Sequence, residues 1–259
     1  MCTIVILRRP REPWPFIMAA NRDEMAGRSW KAPGRHWPDR DQVVAGLDET
    51  AGGSWLGLND DGVVAGVMNR PHTLGPAKGH RSRGELPLEA LDHATAKDAA
   101  EALSHLDAAA YRPFNLIVAD ARHAFWVRAA GDEDDTATGG IAQAIDVRPI
   151  PEGLSMITAH DLDDAASPRL AFHRPRFAAA PAPDPERDDW GSWPALMASR
   201  ETAKDIGPSG AMTVVTDTGF GTVSSSLIAL PALERFGVKP KFLFAAGRPG
   251  EALYRPISL

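Results

Sequence analysis

The residue with the clearest chemistry in this sequence is Cys2, the only cysteine, which directly follows Met1. A cysteine thiolate is a strong nucleophile, and removal of Met1 would give the same residue a free α-amine that can act as a base. We expect this removal because cysteine is small. A nucleophile and a base on one residue are typical of an activated N-terminal nucleophile, so we predict that Cys2 is catalytic. The alternative is a small buried hydrophobic residue at the start of a strand.

Two β-rich runs should bring further reactive side chains beside Cys2. The runs are Thr3–Leu7 and Trp14–Ala20, and a basic, proline-bearing turn joins them. The second run ends on the tetrad Asn21-Arg22-Asp23-Glu24, which we predict to be a turn. Since an antiparallel hairpin returns its far end to its start, the tetrad should lie next to Cys2.

Arg22 and Asp23 allow two interpretations that do not exclude each other. As catalytic residues, Arg22 would stabilise the thiolate and Asp23 would orient the α-amine of Cys2. With this help we expect an abundant thiolate at neutral pH. As structural residues, the two side chains would form an ion pair that closes the end of the hairpin.

The composition is that of an ordinary globular protein of 259 residues, with 44% hydrophobic and 24% charged residues. The formal net charge of −6 argues against nucleic acid as a partner. A single cysteine excludes an intramolecular disulfide framework and a multi-cysteine zinc site, and the eight histidines show no metal-binding spacing. The sequence has no signal peptide and no apolar run near the ~20 residues of a membrane helix. We therefore expect a cytoplasmic protein without metal or cofactor.

Hydrophobic periodicity predicts strands, then paired helices, then strands again, an order typical of an α+β layered fold. Helices are expected near 86–94, 97–106, 169–178 and 193–200, and later strands near 114–119, 123–128, 154–158, 212–216, 224–230, 242–246 and 253–257. Arg28–Arg40 is expected to be irregular, and the acidic run at 132–135 to be a solvated loop. We expect one domain over residues 1–259, with a Pro/Ala-rich connector near 179–189.

Five short motifs occur in one order along the first half of the chain. They are Cys2, the tetrad, Gly52-Gly53-Ser54-Trp55-Leu56-Gly57, Ser82-Arg83-Gly84-Glu85 and Phe114-Asn115-Leu116-Ile117. With Gly153-Leu154-Ser155 and Gly221-Thr222 further on, this set resembles the NRDE family, which is named after the tetrad and is also called the Transport and Golgi Organisation 2 family. The resemblance covers nearly the whole chain and becomes weaker after Ala165.

The NRDE family resembles a branch of the N-terminal-nucleophile hydrolases. The fold that this implies is a four-layer α/β/β/α sandwich of two antiparallel sheets between helical layers. The most similar chemistry is that of the penicillin V acylase and bile-salt hydrolase group, which acts on amide bonds outside peptides. Carried over to this chain, the resemblance makes Cys2 the nucleophile and Asn69 a donor of the oxyanion hole. It also places Arg22 and Asp23 in the region of a paired arginine and aspartate.

Two positions depart from the patterns of the related families. Met156 stands where an asparagine usually follows Leu-Ser, and Val223 stands where an arginine usually follows Gly-Thr. We expect both residues to line the Cys2 pocket, which would then be more apolar than in the acylases. Three more residues are expected to contact substrate: Asn21, Trp55 and Arg70. The structural alternatives are core packing for the tryptophan and a strand-ending turn for the arginine.

The favoured function is hydrolysis of a small amide, or a related acyl transfer, through attack by Cys2. The resemblance also implies a competing function, a non-catalytic protein that carries haem or a lipid derivative in the same pocket. The expected partner is therefore a small-molecule amide or a hydrophobic ligand such as haem, and the oligomeric state stays open. Acylation trapped on Cys2 would favour the enzyme, whereas binding that survives Cys2→Ala would favour the carrier.

Overall fold

The structure is a computed structural model that describes residues 2–131 and 139–259. The strands of this described part are β1 Thr3–Arg8, β2 Phe16–Met25, β3 Trp30–Gly34, β4 Val43–Asp48, β5 Leu56–Asn59, β6 Val64–Asn69, β7 Phe114–Ala119, β8 Ala124–Ala129, β9 Ile145–Pro149, β10 Gly153–Ile157, β11 Phe220–Leu230, β12 Lys241–Ala245 and β13 Tyr254–Pro256. The α-helices are α1 Glu85–Leu91, α2 Ala96–Ser104, α3 Pro168–Ala179 and α4 Trp193–Met197.

The chain divides into two compact units, one formed by Met1–Arg28 with Pro151–Leu259 and the other by Ser29–Ile150. The first unit contains a six-stranded antiparallel sheet in the order β10-β1-β2-β11-β12-β13. The second contains a seven-stranded antiparallel sheet in the order β3-β4-β5-β6-β7-β8-β9. Two antiparallel sheets with few helices confirm the predicted α+β class. The expectation of a single domain over residues 1–259 stays a prediction.

One face of the first sheet packs against α3 and α4. Val5 of β1, Ala19 of β2 and Leu227 of β11 share a buried apolar core with side chains of these two helices. We call this side the helix face of the first sheet. Because successive side chains of a strand point to opposite faces, residues such as Ile4 and Met18 lie on the other face. Both faces of β1 and β2 are buried, which fits their continuous apolar sequences.

The predicted hairpin is confirmed, but the tetrad is not a turn. β1 pairs antiparallel with β2, from Thr3 opposite Asn21 to Arg8 opposite Phe16. The tetrad belongs to β2 because β11 pairs with β2 over its whole length, as far as Phe220 opposite Met25. β11 comes from near the other end of the chain. Its pairing therefore provides hydrogen-bond partners for backbone groups of the tetrad, which the local sequence does not predict.

The second sheet packs against α1 and α2. Buried side chains of both helices and of the sheet form one apolar core, which includes Leu86, Leu91, Leu103, Leu116 and Val118. α2 begins after Thr95, whose Oγ1 accepts a hydrogen bond from the backbone N–H of Asp98 at 3.1 Å. β5 and β6 form a hairpin across an Asp-Gly turn, with Gly62 at a φ of 84°.

The segment predicted as a strand over 212–216 is not one. It makes a single isolated bridge between Val215 and Gly221. The backbone N–H of Val214 instead donates to Thr222 Oγ1 at 2.8 Å, and the N–H of Thr222 donates to Val214 O at 2.9 Å. A Cβ on Gly221 would lie 2.7 Å from Val214 O, so this close approach requires glycine. Side-chain hydrogen bonds therefore replace most of the ladder that a regular strand would form.

Two edge strands of the second sheet lie outside the predicted strands. β3 lies within Arg28–Arg40, the stretch expected to be irregular, and it pairs with β4 across a register shift. β9 pairs with β8, although the sequence predicts no strand there. Edge strands need only one partner, so their apolar patterns are weak and the sequence signal for them is small.

The remaining expectations concern loops. The acidic run at 132–135 lies outside the described residues. The Pro/Ala-rich stretch near 179–189 is a loop with one short 3₁₀ turn at Pro185–Arg187. Across residues 2–131 and 139–259, every helix is too short or too polar to cross a bilayer.

Candidate active site at one end of the first sheet

Cys2 is half-buried and immediately precedes β1. The last pair of this ladder is Thr3 with Asn21, so Cys2 lies just beyond it on one strand and Arg22 just beyond it on the other. The Cys2 Sγ points toward the backbone oxygen of Asp23, 4.0 Å away, as a weak donor. Since Thr3 and Val5 belong to the helix face, Cys2 and Arg22 lie together on the opposite side, which we call the Cys2 face. The hairpin therefore brings Cys2 to the tetrad, where the charges of Asp23 and Arg22 both act on the thiol.

The environment of Cys2 does not favour the thiolate by itself. Burial raises the pKa of the Cys2 thiol above its ordinary value, and the negative charge of Asp23 adds to this increase. The positive charge of Arg22 opposes the increase without cancelling it. Arg22 is 5% exposed, and its Nη2 lies 3.7 Å from Glu24 Oε2. The direction of this shift runs against the expectation of an abundant thiolate at neutral pH, which stays a prediction. Attack by Cys2 requires a base that removes the thiol proton.

The carboxylate of Asp23 is held on the helix face. Its Oδ2 accepts from Arg169 Nη1 at 3.0 Å, and its Oδ1 accepts from Thr222 Oγ1 at 2.6 Å. Arg169 Nη1 also donates to Thr3 Oγ1 at 2.6 Å. Both side chains of the ion pair are buried, with exposures of 4% for Arg169 and 0% for Asp23. This buried network ties β1, β2 and β11 to α3 directly beside Cys2.

A β-bulge changes which residue of β11 faces Arg22. Thr222 pairs with Asp23, but the next pair is Ser224 with Arg22, so Val223 is the extra residue. Val223 is half-buried at this bulge. Ser224 takes the position on the Cys2 face that Val223 would occupy in a regular ladder.

Two residues predicted to contact substrate lie on the helix face. The Asn21 amide donates to Met197 O at 3.0 Å and to Met212 O at 2.8 Å, so it links α4 and the following loop to the sheet. Met156 pairs with Val5 and is fully buried in the core shared with α3 and α4. The strand periodicity turns both residues away from the Cys2 side chain, so Met156 does not make the Cys2 face more apolar.

Trp55 lies in the second unit, at the start of β5. Its ring lies against Gly46, where a Cβ would be only 2.3 Å from the indole carbons. Trp30 meets this ring edge-on, with centroids 5.9 Å apart and planes at 87°. Trp55 is half-buried, so part of its surface stays open beside this aromatic pair. Its contact with substrate stays a prediction.

Asn69 and Arg70 also belong to the second unit. Asn69 is the last residue of β6 and pairs with Phe114, which belongs to the core beneath α1 and α2. Arg70 is 3% exposed, and its Nη1 donates to Asn115 Oδ1 at 2.9 Å. Trp126 Nε1 donates to the same oxygen at 3.0 Å. The oxyanion role of Asn69 and the substrate contact of Arg70 stay predictions.

The sequence did not predict the roles of Thr222 and Arg169, which donate hydrogen bonds to Asp23 on the helix face at the Cys2 end of the sheet. Thr222 belongs to the Gly-Thr motif, so the sequence marks its position but not its role. Arg169 is separated from Asp23 by 146 positions. The only local signal near Arg169 is the start of α3, where Ser167 accepts from the backbone N–H of Leu170 and Pro168 follows. This cap predicts a helix but does not say which residue its first turn will contact.

A cluster of metal-ligating side chains is not evident in the part of the chain that the structure describes. Over residues 2–131 and 139–259, no group of three or more His, Cys, Asp or Glu side chains is arranged to hold a metal ion. The groups that the structure places at this end of the sheet include a thiol, a guanidinium and hydroxyl groups.

Comparison with known proteins identifies the family. The family described as Transport and Golgi organisation 2 matches residues 1–165, which is more than half of the chain. None of the curated protein sequences matches the chain.

Comparison with solved structures identifies the fold. A Caenorhabditis elegans orthologue of N-acylethanolamine-hydrolyzing acid amidase is 14% identical, with a TM-score of 0.52 over 88% of this chain and 92% of that one. A variant of the conjugated bile acid hydrolase from Clostridium perfringens is 11% identical, with a TM-score of 0.53 over 99% of this chain and 92% of that one. These likenesses confirm the predicted fold of the N-terminal-nucleophile hydrolases.

Proposed function

The chain belongs to the Transport and Golgi organisation 2 family, and we propose that it is an amide hydrolase or acyl-transfer enzyme with Cys2 as its nucleophile. The observation that carries the proposal is the position of Cys2. The only thiol of the chain lies at the first strand of the sheet, on the same face as the buried Arg22. The shared fold with an amidase and a bile acid hydrolase supports the reaction class.

The reaction proposed has two steps. In the first, the Cys2 thiolate attacks the carbonyl carbon of an amide, the C–N bond breaks, and the departing nitrogen takes up a proton. This step leaves a thioester on Cys2 and releases an amine. In the second, water or another nucleophile attacks the thioester, which releases the acyl group as an acid or transfers it and restores the thiol.

The base in this proposal is the α-amine that removal of Met1 gives to Cys2. An α-amine has an ordinary pKa of ~7.7–8.0, so a useful fraction is unprotonated near neutral pH. Because burial raises the pKa of the thiol, a base within the same residue matters more than it would for an exposed cysteine. The Arg22 charge then stabilises the thiolate that proton transfer forms.

The direct test is trapping of an acyl group on Cys2. Protein with Met1 removed, verified by its intact mass, is mixed with p-nitrophenyl butyrate and with a butyryl p-nitroanilide, then quenched in acid. We expect butyryl-Cys2 in the mass spectrum, turnover of the anilide, and loss of both in Cys2→Ala. Protein that retains Met1 should react more slowly, because its Cys2 lacks the free α-amine. Equal turnover by wild type and Cys2→Ala would contradict the proposal.

The carrier function serves as an outcome of the same test. Hemin titration of wild type and Cys2→Ala would reveal a carrier if both bind one equivalent and neither forms butyryl-Cys2. Such a result would replace the enzymatic proposal.

Asn69 enters the proposal as an oxyanion donor. Loss of one such donor typically costs ~2.7–4 kcal/mol of transition-state stabilisation, so Asn69→Ala should slow acylation of Cys2 by about 10²–10³-fold. Unchanged acylation in Asn69→Ala would remove Asn69 from the site while leaving Cys2 as the nucleophile.

A further inference from the structure

Ser224 is a buried hydroxyl on the Cys2 face whose partner the fold does not supply. It is 1% exposed, and within residues 2–131 and 139–259 no atom forms a hydrogen bond with its Oγ. The large majority of buried polar side-chain atoms in proteins do have a partner, because an unpaired one carries a desolvation cost. The Ser224 hydroxyl is an exception to this rule, so it needs a physical explanation.

The neighbouring serine shows that this strand can satisfy its hydroxyl groups. Ser225 is as deeply buried, on the helix face. Its Oγ donates to Ala20 O at 3.2 Å and lies 2.6 Å from the hydroxyl of Tyr254. The two adjacent residues thus differ in kind: the helix-face hydroxyl is paired within the unit, and the Cys2-face hydroxyl is not.

The β-bulge at Val223 gives Ser224 its position. In a regular ladder Val223 would face Arg22, and the bulge sets Ser224 there instead. Bulges often re-aim a side chain next to an active site. Neighbouring strands lie about 4.8 Å apart, so Ser224 lies about 10 Å from Cys2 across the sheet, with Arg22 between them.

We propose that Ser224 determines specificity at this site by donating a hydrogen bond to a neutral oxygen acceptor of the substrate. The acceptor would be a carbonyl or amide oxygen within about 10 Å of the carbon that Cys2 attacks. Glu24 Oε2 lies 3.7 Å from Arg22 Nη2 and 3.6 Å from Arg28 Nε, so the one carboxylate is shared by two cations. The Ser224 hydroxyl is itself an uncharged donor, which suits a neutral acceptor. This inference rests on the proposed role of Cys2 and adds the class of group that the acyl part of the substrate carries.

The test uses two thiol reagents of nearly the same shape, because Cys2 is the only possible target of alkylation at a thiol. N-bromoacetyl-β-alaninamide carries a distal amide oxygen, and N-(3-methylbutyl)bromoacetamide replaces that amide by an isopropyl group. The measured quantity is the ratio of the two labelling rates on native protein. We expect this ratio to fall by about tenfold in Ser224→Ala, since that is the usual upper effect of one neutral hydrogen bond. Ser224→Thr keeps a hydroxyl and should retain the wild-type ratio.

Ser155→Ala is the matched control. Ser155 is also fully buried, and its Oγ is likewise without a partner among the described residues. It pairs with Ile6 of β1. Ile6 is four positions along the chain from Cys2, which is a distance of about 13 Å. Both alanine variants should melt at the wild-type temperature or above it, because each removes an unpaired buried hydroxyl. Only Ser224→Ala should change the labelling ratio.

The outcomes separate this inference from the proposal on which it rests. If neither reagent labels native wild-type protein, Cys2 is not a reactive thiol and the proposed function is wrong. If both reagents label Cys2 but the ratio is the same in wild type and Ser224→Ala, the role of Ser224 is wrong and the nucleophile stands. An equal fall of the ratio in Ser155→Ala would also overturn the role of Ser224.

Discussion

The two faces of the first sheet differ sharply at the end where Cys2 lies. On the helix face, Asp23 is held by Arg169 and Thr222, so a buried charge has a buried counter-charge and a hydroxyl donor. On the Cys2 face, three neighbouring strands carry a thiol with a raised pKa, a guanidinium, and a hydroxyl that has no hydrogen-bond partner among the described residues. One face is organised for stability, and the other leaves polar groups that a ligand can use.

The difference arises from alternation along a single strand. Arg22 and Asp23 are neighbours in the sequence, and the sequence alone suggests that they share one role. Because successive strand residues point to opposite faces, Arg22 faces the thiol and Asp23 faces α3. Substitutions at these neighbours should therefore change different properties. Those on the helix face should alter stability first, and those on the Cys2 face should alter reactivity first.

The largest expected effect is loss of the buried ion pair. Arg169→Met removes the cation and leaves the Asp23 carboxylate buried without its counter-charge, which typically costs ~3–5 kcal/mol of unfolding free energy. Urea unfolding followed by circular dichroism measures this loss. Arg174→Met on the same helix is the control. Arg174 pairs with Asp163 and is 40% exposed, so its loss should cost about 0–1 kcal/mol.

This prediction is wrong if Arg169→Met and Arg174→Met unfold at similar urea concentrations. Such a result would mean that the helix face is no more dependent on its charges than the protein surface, and the contrast between the two faces would disappear.

The second prediction concerns the pH dependence of the stability of the first unit, on its helix side. Burial lowers the pKa of His173 on α3 to about 4, so this imidazole is neutral in the folded protein. In the unfolded chain it takes up a proton below pH ~6.5, so the unfolded state binds more protons as the pH falls. Stability should be complete above pH ~6.5 and decrease by on the order of 3 kcal/mol as the pH falls to about 4.

His173→Gln removes this titration and should flatten the stability profile over that pH range. His160→Gln is the control, because His160 is half-buried outside α3 and should leave the slope in place. The same slope in wild type and His173→Gln would show that other groups cause the acid sensitivity.

The smallest expected effect lies on the Cys2 face. Arg22→Gln removes the charge that opposes the rise in the pKa of the Cys2 thiol, so the thiolate fraction at neutral pH should fall. Alkylation by iodoacetamide at pH 7 should slow several-fold, and the midpoint of its pH profile should move upward. Arg22→Lys keeps the positive charge and should lie between wild type and Arg22→Gln. An unchanged pH profile in Arg22→Gln would show that the guanidinium does not act on the thiol.

The sequence alone determined the features that depend on local patterns. The β-branched run after Cys2, the basic turn and the second apolar run specify the β1–β2 hairpin, because a hairpin joins neighbours in the chain. The Asp-Gly turn before β6 and the helical periodicity of α1 to α3 were predictable for the same reason. The ordered motifs were sufficient to recognise the family and, through it, the fold.

Only the tertiary structure decided which side chains meet at the end of the first sheet. The tetrad became strand because β11 pairs with it, and Arg169 reached Asp23 because α3 packs on that face. The bulge at Val223 then exchanged a valine for Ser224 opposite Arg22. Each of these contacts joins segments far apart in the chain, so their free energy depends on packing between elements and leaves no periodic trace in the local sequence.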